Sequence, residues 1–194
     1  VEDVMGIDIQ IYAEIFDGER WRPAEPLVEN IGFDPEVDLL EPRLRPQSLD
    51  IPRNRALFAI LTETIAPTRG LPEDISPEVL AIELPLHEAY FRHSWLGLEE
   101  LLKFDWHGLI VQRTGMVDSD VASLFKGNPL GFPYKQWPKG KAVGHAMWSP
   151  DGVTVQWRET PARIAGDDFM EGVLPKLKSF GPAESVRIVF WFDH

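Results

Sequence analysis

Asp8, Arg53, Asn54, Arg69, His93, Ser94 and Asp193 are the residues whose types and placing point to a site. Each stands at the end of an apolar segment or just before one, where a fold can gather polar groups. A carboxylate near a histidine can hold a metal ion or move a proton. A guanidinium suits phosphate and carboxylate, because its planar fork donates two parallel hydrogen bonds. The same residues could equally form ion pairs that tie a sheet edge to its loops, with His93 an ordinary hydrogen-bonded histidine. No catalytic residue, metal ligand set or cofactor follows from them. The glycine-rich phosphate loops, the paired-histidine zinc helix and the nucleophile elbow are all absent, and none of the five histidines is paired at i, i+4.

The elements that must position these residues begin with residues 6–16. Ile7, Ile9, Ile11, Ala13 and Ile15 alternate with Asp8, Gln10, Tyr12, Glu14 and Phe16, a period of two that makes a strand with one apolar face. Asp17-Gly18 follows and marks a hairpin, because glycine accepts the positive φ of a tight turn. Arg53 to Thr64 carries Ala56, Leu57, Ile60 and Leu61 as one helical stripe, with Asn54 as cap. Ser76-Pro77-Glu78 starts a second, short helix that ends before Pro85. Glu88 to Trp95 is expected to be extended, and Leu98 to Phe104 helical with Glu99 and Glu100 in its first turn.

Leu109 to Val117 is expected to be a strand, and Asp118 to cap a short helix over Val121 to Phe125. Ala142 to Trp148 and Val153 to Arg158 flank Ser149-Pro150-Asp151-Gly152, the turn of a second hairpin. Asp167 to Phe180 has Phe169, Val173, Leu177 and Phe180 on one helical face, and Pro175 implies a kink or two short helices. Val186 to Asp193 closes the chain with both faces largely apolar, as suits a central strand. The fold class expected is α+β: an antiparallel sheet of two hairpins and a central C-terminal strand, with helices packed on it and long irregular loops.

The 194 residues suit one domain, 1–194, or one domain with a large insertion. Residues 23–52 form a Pro-rich acidic loop with six prolines and seven acids against Arg43 and Arg45. Residues 126–141 form a second loop, rich in Pro, Gly and aromatics. The absence of cysteine removes disulfides and thiolate chemistry. A net charge of −12 repels nucleic acid, and the cluster Lys135, Lys139 and Lys141 reads as a solvated loop. No apolar run approaches the roughly 18 residues of a membrane span, so no membrane is expected and the cytoplasm is the expected location. Most of the seven tryptophans should be packed, with Trp137 the exposed one, fit to stack on a sugar, a base or a protein partner.

Met5-Gly6-Ile7-Asp8-Ile9, Arg53-Asn54 leading into Leu57-Phe58-Ala59, Arg69-Gly70-Leu71-Pro72 with Asp74 and Ser76, His93-Ser94-Trp95-Leu96 with Leu98-Glu99-Glu100-Leu101, and Val189-Phe190-Trp191-Phe192-Asp193 occur in that order. The series resembles a family of uncharacterised bacterial and phage proteins that start Met-Gly-Cys-Asp-Ile-His and end on a Phe-Trp-Phe-Asp strand. The resemblance spans most of the chain and implies no particular chemistry. It implies that Met5 is near the natural start. Ile7 stands where cysteine is usual and Gln10 where histidine is usual, which weakens a metal reading. The function expected is that of a bacterial or phage accessory protein that binds a small polar or anionic ligand or a host protein. The alternative is a hydrolase using carboxylate and histidine, with a metal ion or without one.

Overall fold

The computed structural model describes residues 8–31, 33, 42–84 and 90–193, without the side chains of Asp8 and Asp193. Met5 to Ile7 of the opening motif, the acidic stretch 34–41, Glu88 at the start of the expected extended segment, and His194 lie outside the described residues. The chain divides into two compact units, Val1–Phe104 with Asp167–His194, and Asp105–Gly166. The second is continuous in sequence and interrupts the first.

The first unit is built on a four-stranded sheet of order β2-β1-β8-β5, comprising β1 (Asp8–Phe16), β2 (Trp21–Pro23), β5 (Phe91–Gly97) and β8 (Val186–Asp193). All its pairings are antiparallel. The β1–β2 turn forms as its sequence demands. Gly18 takes φ 104°, and the Asp17 carboxylate accepts from the backbone N–H of Glu19 and of Arg20, each at 3.0 Å. Beyond Ala13 the free edge of β1 is closed by the 23–52 segment: Leu49 N–H donates to Ile11 O at 2.8 Å and Ala24 N–H to Ala13 O at 2.9 Å. Within that segment β3 (Val28–Glu29) and β4 (Leu44–Arg45) pair with each other.

β8 lies between β1 and β5, and both its faces are covered, which is why its sequence is apolar on both. Ile188, Phe190 and Phe192 lie on one face, where α3 (Leu98–Lys103) and α5 (Leu174–Ser179) bring the buried Leu98, Leu101 and Leu177 and α1 (Arg55–Ala59) sets Phe58 against Phe192. Val189 and Trp191 lie on the other with Tyr12, under Val79 of α2 (Pro77–Glu83). The caps follow the sequence. Leu57 N–H donates to Asn54 Oδ1 at 3.0 Å, and Val79 N–H to Ser76 Oγ at 3.3 Å. Residues 60–64 continue α1 as a wide π-type turn, and a second such turn, 168–173, precedes α5. Pro175 sits in the first turn of α5, so the expected 167–180 helix is two pieces.

The second unit pairs β6 (Val111–Val117) with β7 (Val153–Glu159) along their full length, antiparallel. The expected 142–148 strand of a second hairpin is not the partner of β7. That segment pairs with β6 only through a bridge between Met116 and Ala146, so the turn at 149–152 leads into β7 without making a hairpin ladder. Val117, Val121, Phe125, Phe132, Val155 and Trp157 form this unit's core. The Val121–Phe125 helix is a single 3-10 turn, and the backbone oxygen of Asp118 begins it, not its side chain. The unit ends in α4 (Pro161–Asp167), broken at Gly166, where φ is 78°.

Trp137 is not the exposed tryptophan. It packs on Phe132 with ring centroids 5.2 Å apart, and its Nε1 donates to Ala142 O at 3.0 Å. Trp148 is the exposed one, at 73%. Among the described residues no helix is long and apolar enough to cross a membrane.

Candidate functional site

The seven expected residues fall into three places in the first unit. Asp8 and Asp193 stand opposite each other in the β1–β8 register, at the end of the sheet. Arg53 and Asn54 lead into α1, where Asn54 is spent on its cap. Arg69, His93 and Ser94 gather along the outer edge of β5.

This last group does structural work. Arg69 N–H donates to Ser94 Oγ at 3.2 Å, and Gly70 N–H to His93 O at 2.9 Å, so the turn after residue 68 is stapled to the edge strand. The Arg69 guanidinium lies 4.8 Å over Trp95 and meets Glu100 with two N–H donors. Glu100 Oε2 also accepts from Gly97 N–H at 2.9 Å, which joins β5 to α3. The carboxyl pKa of Glu100 is held low, chiefly by the hydrogen bond from Arg69, and that of Arg69 is raised by Glu100. An arginine matched in this way has its fork already filled.

His93 sits beside Trp191, with ring centroids 6.0 Å apart, and its Nε2 lies 2.9 Å from Oε1 of Glu83. Glu83 is 1% exposed, so α2 carries a buried carboxylate against an imidazole of β5. The two groups meet where α2 packs on the sheet.

The arrangement best suited to a ligand lies next to the expected residues in sequence. Arg55, Phe58, Ala59, Phe91, Arg92 and Phe192 line a cavity of about 220 Å³. Phe192 lies against Phe58 at 5.0 Å and Phe91 at 5.9 Å between ring centroids, each pair tilted by 44°, which gives the cavity an aromatic floor. Arg55 and Arg92 supply its charge, and both are exposed. Arg92 is held in an uncommon conformation, φ 53°, where the β5–β8 register shifts between Phe91 and Ser94. A left-handed backbone costs a non-glycine residue about 1–2 kcal/mol, and such residues gather at functional sites. Arg92 Nη1 pairs with Glu63 Oε1 at 3.1 Å, both side chains more than half exposed. An exposed pair of this kind contributes at most about 1 kcal/mol, so a better anion can displace it.

Arg92 was not among the expected residues. The sequence shows only Phe91-Arg92-His93 in an extended run, and a bulge has no local signature there. Arg55 follows Arg53 and Asn54 directly, at the first position of α1.

In the second unit His145 packs against Trp157, with ring centroids 4.6 Å apart, and its pKa is lowered, first by burial and then by Arg113. Lys141 of the expected solvated lysine cluster lies between Asp118 and Asp120, which raise its pKa. Among the described residues no three of His, Asp and Glu come together as metal ligands.

Comparison with protein-family models, with curated proteins and with solved structures finds no match to this chain.

Proposed function

We propose that the first unit binds a small anion with one aromatic or heteroaromatic ring, in the cavity between Arg55 and Arg92. The observation that carries this reading is the backbone of Arg92. The bulge at Phe91–Ser94 holds it at φ 53° on the wall of a cavity with three phenylalanines. The floor offers ring faces for stacking. The two guanidinium groups offer paired hydrogen bonds to a carboxylate or phosphate. A volume of about 220 Å³ is below the roughly 300–1,000 Å³ of ordinary drug-sized sites, so the ligand is a single ring with its charged group.

The experiment is a thermal shift and calorimetric titration with benzoate, phenyl phosphate and a pyridine carboxylate. A ligand of the folded state raises the melting temperature by mass action. The expected result is a shift with at least one aryl anion, none with the uncharged ring alone, and loss of the shift in Arg55→Ala and Arg92→Ala. An equal shift in both variants, or none with any aryl anion, overturns the reading.

A further inference from the structure

We propose that the second unit carries a docking groove for an acidic peptide segment of a partner protein, one with large apolar side chains between its carboxylates. The groove, about 470 Å³, runs along residues 129–136 and is closed on one side by α4. Its floor is apolar, with Phe132 buried and Leu124 beside it. Its rim presents Leu130 and Tyr134, each 60% exposed. Two cations line it, Lys135 and Arg163, and neither makes an ion pair among the described residues. Elsewhere in this unit Lys141 is neutralised by Asp118 and Asp120 and Arg113 lies 3.9 Å from Glu159, while Lys126 and Lys139 make no ion pair among the described residues and line no groove. Unneutralised charge in an apolar groove calls for an anion with apolar neighbours.

The Arg163 guanidinium lies against Gly131, whose φ of 86° suits glycine. The loop is fixed to β7 at the glycine and two residues before it, since Gly131 N–H donates to Arg158 O at 2.6 Å and Arg158 N–H to Pro129 O at 2.8 Å. The groove wall is therefore preorganised, which lowers the cost of binding. Small-ligand sites enclose most of their ligand, whereas this groove leaves a leucine and a tyrosine on its rim. Exposed Tyr and Arg beside a hydrophobic floor are the residues that anchor protein partners. The charge selects acidic segments and makes the association weaken with salt.

The test uses the full chain and a displayed library of eight-residue peptides with Asp or Glu at two positions and Leu, Phe or Trp at two others. The strongest peptide is labelled and measured by fluorescence anisotropy. The expected result is saturable binding that weakens at least tenfold in Lys135→Glu and in Arg163→Ala and falls with added salt. Replacing the acids of the peptide by Lys abolishes it. Lys135 is exposed, so its variant keeps the fold, and the melting temperature of Arg163→Ala identifies any loss of folding. No enriched acidic peptide, or binding unchanged in Lys135→Glu, overturns the proposal. Displacement of the peptide by millimolar phosphate alone overturns it in favour of a small-anion site. A dimer in sedimentation that Lys135→Glu dissociates overturns it in favour of a second copy of this chain.

Discussion

Glu14 and Arg187 face each other across the β1–β8 register, and their side chains meet at 2.7 Å with no more than 3% of either exposed. The remaining valences are filled. Glu14 Oε1 accepts from Ser76 N–H at 2.8 Å, and Arg187 donates to Asp74 Oδ1 at 2.7 Å and to Asp74 O at 3.1 Å. Trp21 covers the guanidinium at 4.0 Å. One buried pair thus joins the two central strands, the β2 tryptophan and the start of α2. Removing one partner strands a buried charge, so Glu14→Ala and Arg187→Ala are each expected to cost about 3–5 kcal/mol. Replacing both by apolar residues of similar volume should cost less than the sum. Urea unfolding of the two single variants and the double variant measures this, and single variants within 1 kcal/mol of the native chain would contradict it.

Acid should weaken the first unit through the same arginines. The pKa of Asp74 is lowered, first by its hydrogen bond from Arg187, and that of Glu100 by its hydrogen bond from Arg69. A folded pKa below the unfolded one means that the unfolded chain takes up protons first. The stability these groups add is complete well above the unfolded values, about 3.9 for Asp and 4.3 for Glu, and is lost as pH falls through them toward the folded values. Unfolding midpoints between pH 7 and pH 3 should decline most steeply below about pH 5. Glu100→Gln should flatten that decline, and an unchanged slope in this variant would remove Glu100 from the explanation.

Local chemistry was legible where a residue acts on its own neighbours. The period of two in β1, the Asp17-Gly18 turn, the Asn54 and Ser76 caps and the two apolar faces of β8 all follow from their own segments. The pairing of β7 with β6 joins residues about forty positions apart, and no turn residue encodes it. The turn at 149–152 carries hairpin chemistry, but Ala146 bridges to Met116 and the 142–148 segment stays outside the ladder. The site residues divide in the same way. The sequence singled out Arg69 and His93 but not their partners, Glu100 and Glu83, which come from other elements. Arg92 escaped because its role depends on a register shift against β8.

The two tryptophans of the second unit's loops should separate in quenching. Trp148 is 73% exposed, while Trp137 packs edge-on to Phe125 and against Phe132. Trp148→Phe should remove most of the fluorescence that iodide reaches from this unit and leave stability within about 0.5 kcal/mol, as surface changes do. Trp137→Ala should cost about 3 kcal/mol or somewhat less, because its burial is partial. If Trp137→Phe abolished iodide quenching and Trp148→Phe did not, the assignment would be reversed.

Arg92 should show opposite effects on stability and on binding. At φ 53° its backbone is strained, and glycine adopts that conformation freely. Arg92→Gly removes the strain of about 1–2 kcal/mol and loses an exposed ion pair to Glu63 worth at most about 1 kcal/mol. Glycine also adds freedom to the unfolded chain, which offsets part of the gain. The expected outcome is a melting temperature equal to or above that of the native chain, with the thermal shift by aryl anions gone. Arg92→Ala keeps the strain and loses the charge, so it should be less stable than Arg92→Gly while binding equally poorly. The order of the two melting temperatures decides the matter. Were Arg92→Ala the more stable, the backbone strain at the bulge would not be real, and the argument that this arginine is held in place for a ligand would fall with it.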